Sequence, residues 1–130
     1  MPYSFSNSSF DRLKTCHEDL QKLFTDVIKC YDCTVIEGWR SHEKQEEYFR
    51  TGRSKLRAGQ SKHNANPSLA IDVAPYPIDW SDYKRFYYFS GLVKGIAFKL
   101  EISIRWGGDW DSDNNFKDQN FHDLPHFELQ

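Results

Sequence analysis

Two short segments far apart in the chain each combine histidine with aspartate. The first is Ser61-Lys-His-Asn-Ala-Asn-Pro-Ser-Leu-Ala-Ile-Asp72, and the second is His122-Asp-Leu-Pro-His-Phe-Glu-Leu129. Imidazole nitrogens and carboxylate oxygens are common zinc ligands, and a hydrolytic zinc site uses three of them with an open position for water. The sequence therefore favours a fold that brings the two segments together.

The first segment ends in a strand pattern. Hydrophobic residues alternate over 69–74, which directs Ile71 and Val73 towards a core and Asp72 to the opposite face. The small alanines beside Asp72 leave space for a metal ion and a substrate. His63 stands in the loop before this strand, so these two candidate ligands would come from a loop and from the strand that follows it.

The second segment predicts an extended chain that follows a bend. A residue before proline favours extended backbone, so Leu124 and Pro125 indicate a strand that presents His126 as the third ligand. Residues three apart on a strand face opposite sides, and Asp123 therefore needs the bend to approach the same site. Its expected role is proton transfer rather than metal binding. For His122 the sequence leaves an outer position or an exposed one open.

Amphipathic and capping patterns predict the other elements. Predicted helices cover 9–30 with Ser9 as the cap, 42–51 with Ser41 as the cap, and 82–99; predicted strands cover 34–36, 101–106 and 124–129; loops cover 52–68 and 109–120. Helices and strands are mixed without regular βαβ units. We expect an α+β fold, a small single domain with an antiparallel sheet, helices packed around it and the zinc site in a cleft on the sheet.

Length and composition fit one domain with its own core. The chain has 130 residues, near the commonest domain size, and its 10 Phe, 7 Tyr and 4 Trp provide bulky rings to fill that core. The formal net charge of −2 argues against a nucleic-acid-binding protein, which normally has a basic surface. The first residues lack the features of a secretory signal, and no stretch approaches the roughly 20 apolar residues of a membrane span. We expect synthesis in a cytoplasm and no membrane insertion.

Basic residues cluster in one region of the chain, and two interpretations of the cluster stay open. It is either a solvated loop or a surface that meets an anionic polymer. The residues are Arg50, Arg53, Lys55, Arg57 and Lys62.

Three cysteines are an odd number for a disulfide framework. Cys30 and Cys33 have CxxC spacing, but the sequence holds no second such pair, and we expect ordinary, partly buried thiols. For His17, on the face of the first predicted helix, and His42, in the first turn of the second, we expect structural or exposed positions rather than metal binding.

Several motifs support a family resemblance over about 35–129. They are Ser61-x-His63, Ala70-x-Asp72, Asp123-x-x-His126, Gly38-Trp-Arg-Ser41, Gln45, Gly52-Arg53 and Trp106-Gly-Gly-Asp-Trp110. These motifs resemble those of the M15 zinc metallopeptidases, and in particular the phage endolysin branch of L-alanyl-D-glutamate endopeptidases. The resemblance implies a fold of the hedgehog/D-Ala-D-Ala-peptidase type.

The resemblance also implies roles for particular residues. By position, His63, Asp72 and His126 would hold Zn²⁺. Asp123 would act as general base and acid, and Arg40 would stabilise the oxyanion that develops during the reaction.

Two further motif residues are implied to contact or position the substrate. Ser61 would help to bind polar groups of the substrate. Gln45 would also be a substrate-binding residue. In addition, it would help to position the region around Arg40.

The implied activity is hydrolysis of the peptidoglycan stem peptide, between L-Ala and D-Glu, with water activated by zinc. Residues 1–130 would form one peptidase domain without a separate cell-wall-binding domain, and the protein would be a monomer. It would act on the cell wall in the periplasm during host lysis, after a holin-type partner permeabilises the membrane. The alternatives are a D,D-carboxypeptidase on the same site, a non-catalytic zinc-containing wall-binding domain and a His/Asn-type nuclease.

The chain departs from the family pattern between the first two ligands. His63 and Asp72 are spaced more widely than usual, Ser68 stands near the position of an expected glycine, and Pro67 stiffens the loop. The extra residues fall in a loop, so His63 is the ligand whose placement depends most on this departure. Asp123, where the carboxypeptidase branch often has Glu, favours the endopeptidase branch.

Acidic residues alternate in the loop before the second segment, as calcium ligands do in an EF-hand. The candidates are Asp109, Asp111, Asp113 and Asn115. Asn114 and Asn120 replace the glycine and the bidentate glutamate of an EF-hand loop, which argues against that motif. A simpler Ca²⁺ site and a solvated acidic loop both remain open.

Overall fold

A computed structural model describes residues 3–115 and 123–130, and their elements have the α+β composition that the sequence predicts. The helices are α1 (Asn7–Leu13), α2 (Glu18–Cys30), α3 (His42–Arg50) and α4 (Tyr83–Lys99), with a short 3₁₀ turn at Lys62–Asn64; the strands are β1 (Cys33–Glu37), β2 (Ala70–Pro75), β3 (Ile104–Trp106) and β4 (His126–Leu129). None of the helices in these described ranges has the length and apolar sequence needed to span a bilayer.

The four strands form one antiparallel sheet in the order β1-β2-β4-β3. The two central strands are far apart in sequence, and their register sets Asp72 directly opposite His126. On the outer side of β4, the register pairs Glu128 with Arg105 of β3. Side chains of directly opposed residues are close neighbours on the same face. The register thus brings the two histidine-containing segments together, as the sequence predicts.

The core lies on one face of this sheet. Ile71 and Val73 are fully buried in it, while Asp72 points to the other face, which confirms the alternation predicted for β2. Helices α2 and α4 pack against each other on the core side. Phe127 of β4 contacts the rings of Phe24 and Phe89, with centroids 5.6 and 6.2 Å away. Aromatic rings therefore fill the space between the helices and the sheet, and the opposite face is left for the site.

The single helix predicted over 9–30 is wrong, because the chain forms two helices there. Ser6 rather than Ser9 caps α1, and its hydroxyl accepts a hydrogen bond from Ser9 N at 3.2 Å. The Ser9 hydroxyl is buried and accepts instead from Val35 N of β1 at 3.0 Å. A serine inside the first turn resembles a cap in sequence, and only the contact with β1 distinguishes the two.

The break between α1 and α2 gives His17 a structural role. His17 caps α2, where its Nδ1 accepts from Asp19 N at 3.0 Å, so the expectation that it lies on a helix face is wrong. Its prediction as a structural rather than a metal-binding residue agrees with this position. Cys16 and Cys33 are buried and Cys30 is exposed, and all three thiols are free. Burial raises the pKa of both buried thiols to about 12.

The remaining predictions differ from the structure mainly at element ends. The Ser41 cap is confirmed, with its hydroxyl accepting from Lys44 N at 3.0 Å. The strand predicted over 101–106 begins at Ile104, because the residues after α4 complete the helix end. The strand predicted over 124–129 begins at His126, because a turn precedes it in which His126 N donates to Asp123 O at 3.0 Å. This turn is the bend expected for Asp123.

Gly107 allows the turn at Asp123 to pack against the end of β3. Gly107 N donates to His126 O and Gly107 O accepts from Asp123 N, both at 2.8 Å. A Cβ at this position would collide with the backbone carbonyl of Asp123. The backbone of the bend can approach this closely only because Gly107 has no side chain.

Replacing Gly107 by alanine should therefore lower the free energy of unfolding by about 1–3 kcal/mol, the usual cost of overpacking. Gly95, exposed on α4 with nothing within 4 Å of an added Cβ, is the control. Gly95→Ala should raise the free energy of unfolding by about 0.5–1 kcal/mol, because alanine is the better helix former. Denaturant unfolding measures both, and equal effects of the two substitutions would contradict the packing described for Gly107.

Candidate functional site

The three predicted metal ligands come together on the sheet face opposite the core. His63 Nε2 lies 3.3 Å from Asp72 Oδ1, and His126 Nδ1 lies 3.1 Å from the same oxygen. One nitrogen from each histidine and one oxygen of Asp72 all lie within 4.8 Å of one another. Two imidazoles and a carboxylate at this spacing form a donor set that could hold a metal ion, and its chemistry fits zinc.

The long loop before β2 holds His63 through a local cap. Ser61 and Asn64 form a capping box around the 3₁₀ turn, in which Ser61 Oγ accepts from His63 N at 3.1 Å and Asn64 Oδ1 accepts from Ser61 N at 3.2 Å. Arg40 N donates to His63 O at 2.8 Å. These bonds fix the backbone of His63, so the wider spacing between His63 and Asp72 leaves His63 within the group. Ser61 also lines the cavity, and its contact with substrate stays a prediction.

The second nitrogen of each histidine is held away from the group by an acceptor. His63 Nδ1 lies 2.7 Å from Gly38 O, and His126 Nε2 lies 2.8 Å from Glu128 Oε1. A carbonyl or carboxylate partner of this kind fixes the tautomer and the ring orientation of a metal-binding histidine. The nitrogens that remain are therefore the two that face Asp72.

Glu128 is a residue of the site for which the sequence predicted no role. It stands two residues after His126, and residues two apart on a strand lie on the same face, so this spacing was the available signal. Its buried carboxylate also accepts from Arg105 Nη2 at 2.7 Å and lies 3.5 Å from Lys62 Nζ. Burial opposes ionisation, but the bonds to His126 and Arg105 lower the pKa of Glu128 to about 2.

Opposite charges stabilise each other within the metal-binding group. Burial alone would raise the pKa of Asp72, but its hydrogen bonds with His126 and His63 hold that pKa well below the ordinary value. Burial alone would lower the pKa of His126, but its hydrogen bonds with Asp72 and Glu128 raise that pKa to about 9. These directions indicate that Asp72 favours a cation beside it, in keeping with a metal-binding role.

Asp123 lies beside the group without belonging to it. Its Oδ2 is 3.9 Å from His126 Nδ1, and its side chain is 37% exposed in the cavity wall. Partial burial and the negative charge of Asp72 raise the pKa of Asp123, although His126, His63 and Arg40 act against this shift. A carboxyl with a raised pKa next to a candidate metal position is suited to accept and return a proton.

Arg40 is held rigidly at the edge of the group. Its Nε donates to Glu37 Oε1 at 2.9 Å, its Nη2 also bonds Glu37, and its Nη1 donates to Gln45 Oε1 at 2.8 Å. Nη2 lies 3.9 Å from Asp72 Oδ2. The guanidinium carbon also lies 4.5 Å from the centroid of the Tyr48 ring. These contacts hold the guanidinium in a single orientation, in which it faces the cavity.

Gln45 is fully buried behind Arg40, and all its polar groups are bonded within the protein. Besides accepting from Arg40, it donates from Nε2 to Ser54 Oγ at 3.0 Å and to Leu56 O at 2.7 Å. This position fits the predicted role of Gln45 in positioning Arg40. Direct contact with a substrate, also predicted for Gln45, has no support in this geometry.

The group opens into a cavity of about 690 Å³. Trp110 forms part of its wall, with its ring centroid 5.3 Å from that of His126 and 5.4 Å from the Arg105 guanidinium carbon. The wall also contains many basic residues, and those that line it are Arg40, Lys44, Arg53, Lys55, Lys62 and Arg105. Three residues of the basic cluster in the sequence therefore line the cavity, namely Arg53, Lys55 and Lys62.

The acidic residues predicted as a calcium site are brought partly together. Carboxylate oxygens of Asp109, Asp111 and Asp113 lie within 4.8 Å of one another, whereas Asn115 contributes a backbone N–H that donates to Asp113 Oδ1 at 2.8 Å. Asp109 is buried and accepts from Asn114 N at 2.9 Å. The loop is thus stabilised by its own hydrogen bonds, and Ca²⁺ binding stays a prediction. His122 and Asn120 lie outside the described residues.

Comparison with known proteins identifies the family. A family model for the phage L-alanyl-D-glutamate peptidases matches residues 1–130. The chain belongs to this family. The resemblance to the phage endopeptidase branch of the M15 peptidases is therefore confirmed.

Two relatives support the same assignment. Peptidoglycan L-alanyl-D-glutamate endopeptidase CwlK of Bacillus subtilis (strain 168) is 33% identical over 115 residues, which cover 78% of this chain and 62% of that protein. The chain thus spans less than two thirds of the length of that relative. The crystal structure of Serratia marcescens L-Ala D-Glu endopeptidase ChiX matches with a TM-score of 0.77 at 26% identity and covers 98% of this chain and 90% of that chain. This likeness confirms the predicted fold.

Glu128 allows a test of the metal-binding group. Glu128→Gln keeps the size of the side chain but removes the charge that orients His126, and zinc affinity should fall by about 10–100-fold. Glu47→Gln, on the exposed side of α3, removes the same charge far from the group and should leave zinc affinity unchanged. Competition with a chelating dye measures both affinities. Equal zinc affinity in the two variants would contradict the role assigned to Glu128.

Proposed function

We propose that this chain is a zinc-dependent peptidoglycan endopeptidase that cleaves the stem peptide between L-Ala and D-Glu. The observation that carries the proposal is the convergence of His63, Asp72 and His126 beside Asp123 and Arg40 in one cavity. Family membership supports the substrate and the bond, since the family and both relatives are named for this activity.

In this proposal, His63, Asp72 and His126 would hold the zinc ion, and the atoms available for this are Nε2 of His63, a carboxylate oxygen of Asp72 and Nδ1 of His126. A zinc ion bound by three protein ligands supplies Lewis acidity, which lowers the pKa of water and polarises a carbonyl oxygen. Gly38 O and Glu128 hold the two histidine rings, so the donor atoms are arranged before the ion binds.

Asp123 transfers the proton in the proposed reaction. Its carboxylate takes a proton from the attacking water as the new bond from oxygen to the L-Ala carbonyl carbon forms. It returns that proton to the nitrogen of D-Glu as the peptide bond breaks, which gives a new carboxylic acid on L-Ala and a free amine on D-Glu. Asp123 Oδ2 lies 3.9 Å from His126 Nδ1, and this distance supports a role beside the proposed ligands rather than as one of them.

Arg40 stabilises the negative charge that develops on the carbonyl oxygen. Glu37 and Gln45 already hold its guanidinium, so little reorganisation is needed during the reaction. The cavity is large enough for a short peptide, and Trp110 and Ser61 offer an aromatic surface and a hydroxyl in its wall.

We extend the proposal to the setting in which such an enzyme would act. The phage origin named by the family model supports a role in host lysis. In this setting, residues 1–130 work as one monomeric catalytic domain, and a holin-type partner admits the enzyme to the cell wall.

Asp123→Asn separates proton transfer from metal binding. The amide cannot accept the proton, so kcat should fall by about 10²–10⁴-fold while zinc content stays at one ion per chain. Asp11→Asn, at an exposed carboxylate that pairs only with Lys14 in the described residues, is the control and should leave kcat unchanged. Near-normal turnover by Asp123→Asn would remove Asp123 from the mechanism.

The products define the bond that is cleaved. Mass spectrometry of digested muropeptides should show fragments that begin with D-Glu. Loss of a terminal D-Ala alone would identify a D,D-carboxypeptidase instead. Zinc binding without any cleavage by the unmodified protein would favour a non-catalytic wall-binding domain.

Metal removal tests both proposed ions. A chelator should abolish cleavage, and one equivalent of Zn²⁺ should restore it if His63, Asp72 and His126 form the site. Adding Ca²⁺ to the zinc-restored enzyme should then raise kcat if an ion at Asp109 and its neighbours orders the loop before Asp123. Unchanged kcat on adding Ca²⁺ would remove the calcium hypothesis and leave the zinc hypothesis intact.

A further inference from the structure

Most of the cations that line the cavity are already paired with a carboxylate of the protein. Glu37 bonds Arg40 and lies 2.8 Å from Lys44 Nζ, and Glu128 bonds Arg105 and lies 3.5 Å from Lys62. Each of the two carboxylates thus offsets part of the charge of two cations. These contacts occupy part of the donor capacity of all four cations, and Arg40 is the one assigned to the developing oxyanion.

Arg53 lines the same cavity but differs from these four. Among residues 3–115 and 123–130, no carboxylate lies within ion-pair distance of its guanidinium, which instead covers the Tyr48 ring with its central carbon 4.1 Å from the ring centroid. Arginine presents five N–H donors in a planar fork that matches a carboxylate. An exposed arginine stacked on a ring keeps the edge of that fork available.

The end of α3 fixes Arg53 in this position. Gly52 has φ +80°, and the chain closes in the two-bond pattern of a Schellman motif, with Arg53 N donating to Tyr48 O at 2.8 Å and Gly52 N donating to Phe49 O at 3.2 Å. A hydrophobic contact usually joins the first and last residues of this motif. Here the stacking of the Arg53 guanidinium on the Tyr48 ring replaces that hydrophobic contact. The guanidinium is therefore oriented before any ligand binds.

Tyr48 also connects Arg53 to the metal-binding group. The guanidinium groups of Arg40 and Arg53 both contact its ring, and Arg40 lies 3.9 Å from Asp72. Arg53 is therefore one side chain further from the group than Arg40. Each residue of an extended peptide adds at most about 3.3–3.6 Å of length. The side chain of a residue next to the cleaved bond is therefore close enough to reach Arg53.

We propose that Arg53 is a specificity-determining residue that binds a free carboxylate of the stem peptide on the leaving-group side of the cleaved bond. This inference rests on the proposed function. On the acyl side, L-Ala has no charged side chain, and its carboxyl group is in the bond that breaks. On the other side, D-Glu has two carboxyl groups and continues the chain through only one, so the other stays free. The residue after D-Glu is a second possible source of a carboxylate.

Arg57 provides a matched control for Arg53. It belongs to the same basic cluster, and its guanidinium carbon lies 4.8 Å from the ring centroid of Phe49, the neighbour of Tyr48. Its guanidinium, however, bonds Glu46 at 2.9 Å and lies outside the cavity wall. Arg53→Gln and Arg57→Gln thus remove the same charge and the same kind of ring contact, and only the first changes the cavity.

The experiment compares two soluble stem peptides that differ only in the free carboxyl group of D-Glu, one as the acid and one as the amide. The unmodified enzyme should prefer the acid by about 10–100-fold in kcat/KM, the range expected for a charge-assisted hydrogen bond. Arg53→Gln should abolish that preference, mainly by raising KM for the acid. Arg57→Gln should keep it. Arg53→Lys, which keeps the charge but loses the fork, should give an intermediate preference.

A second pair of peptides identifies the source of the carboxylate. These peptides carry either lysine or a carboxylate-containing diamino acid after D-Glu. If the effect of Arg53→Gln depends on this residue rather than on the acid or amide of D-Glu, Arg53 binds the later carboxylate.

Three outcomes would overturn the inference. The first is an equal loss of kcat/KM for every peptide on Arg53→Gln, which would indicate a structural role. The second is a preference in the unmodified enzyme that Arg53→Gln and Arg53→Lys both leave intact. The third is failure of the unmodified, zinc-loaded enzyme to cleave any of the peptides, which would overturn the proposed function as well. Thermal unfolding of each variant shows whether it is folded, and Arg53→Lys tests the inference if Arg53→Gln is not.

Discussion

The antiparallel pairing of β2 with β4 is the constraint on which the site depends. It places Asp72 opposite His126 at the centre of the sheet, between strands that the chain order separates widely. A shift of one residue would turn every side chain of a strand to the other face. Phe127 and Ile71, which are fully buried in the core, make such a shift costly. The hydrophobic core therefore fixes the positions of the candidate metal ligands Asp72 and His126 on the opposite face.

The site also depends on charge compensation around that pairing. Glu37 and Glu128 are both buried, and a buried carboxylate without partners is strongly destabilising. Each bonds two cations of the cavity wall, and Glu128 also orients His126. Two carboxylates thus hold Arg40, which we propose stabilises the oxyanion, on one side and the candidate ligand His126 on the other. The same two carboxylates make the site rigid and offset part of the positive charge of its wall.

Local patterns in the sequence were sufficient for much of the fold and of the candidate site. Alternation predicted the orientation of Asp72, the geometry of a strand predicted a bend between Asp123 and His126, and residue type with family resemblance predicted the candidate ligand set. The positioning role of Glu128 and the burial of Gln45 were not predicted, because both depend on neighbours from other elements. Arg53 and Arg57 likewise look equivalent in sequence. Only the end of α3 and the position of Glu46 separate an available guanidinium from a paired one.

The break between α1 and α2 and the long loop before β2 have a single structural explanation. The helix predicted over 9–30 is interrupted, and the loop between His63 and Asp72 is longer than the family pattern. In the structure, these two segments bind each other. Ser68 N donates to Thr15 O at 2.9 Å and His17 N donates to Ser68 O at 2.8 Å, which forms a bridge between Cys16 and Ser68.

This bridge satisfies backbone groups that a continuous helix would have bonded internally, so the break has little cost in hydrogen bonds. It also ties the end of the loop to the break between α1 and α2, and there the Ser68 hydroxyl and His63 Nδ1 both contact Gly38 O, at 3.4 and 2.7 Å. The end of the loop and the break between the helices therefore stabilise each other, and neither can be interpreted from its own segment alone.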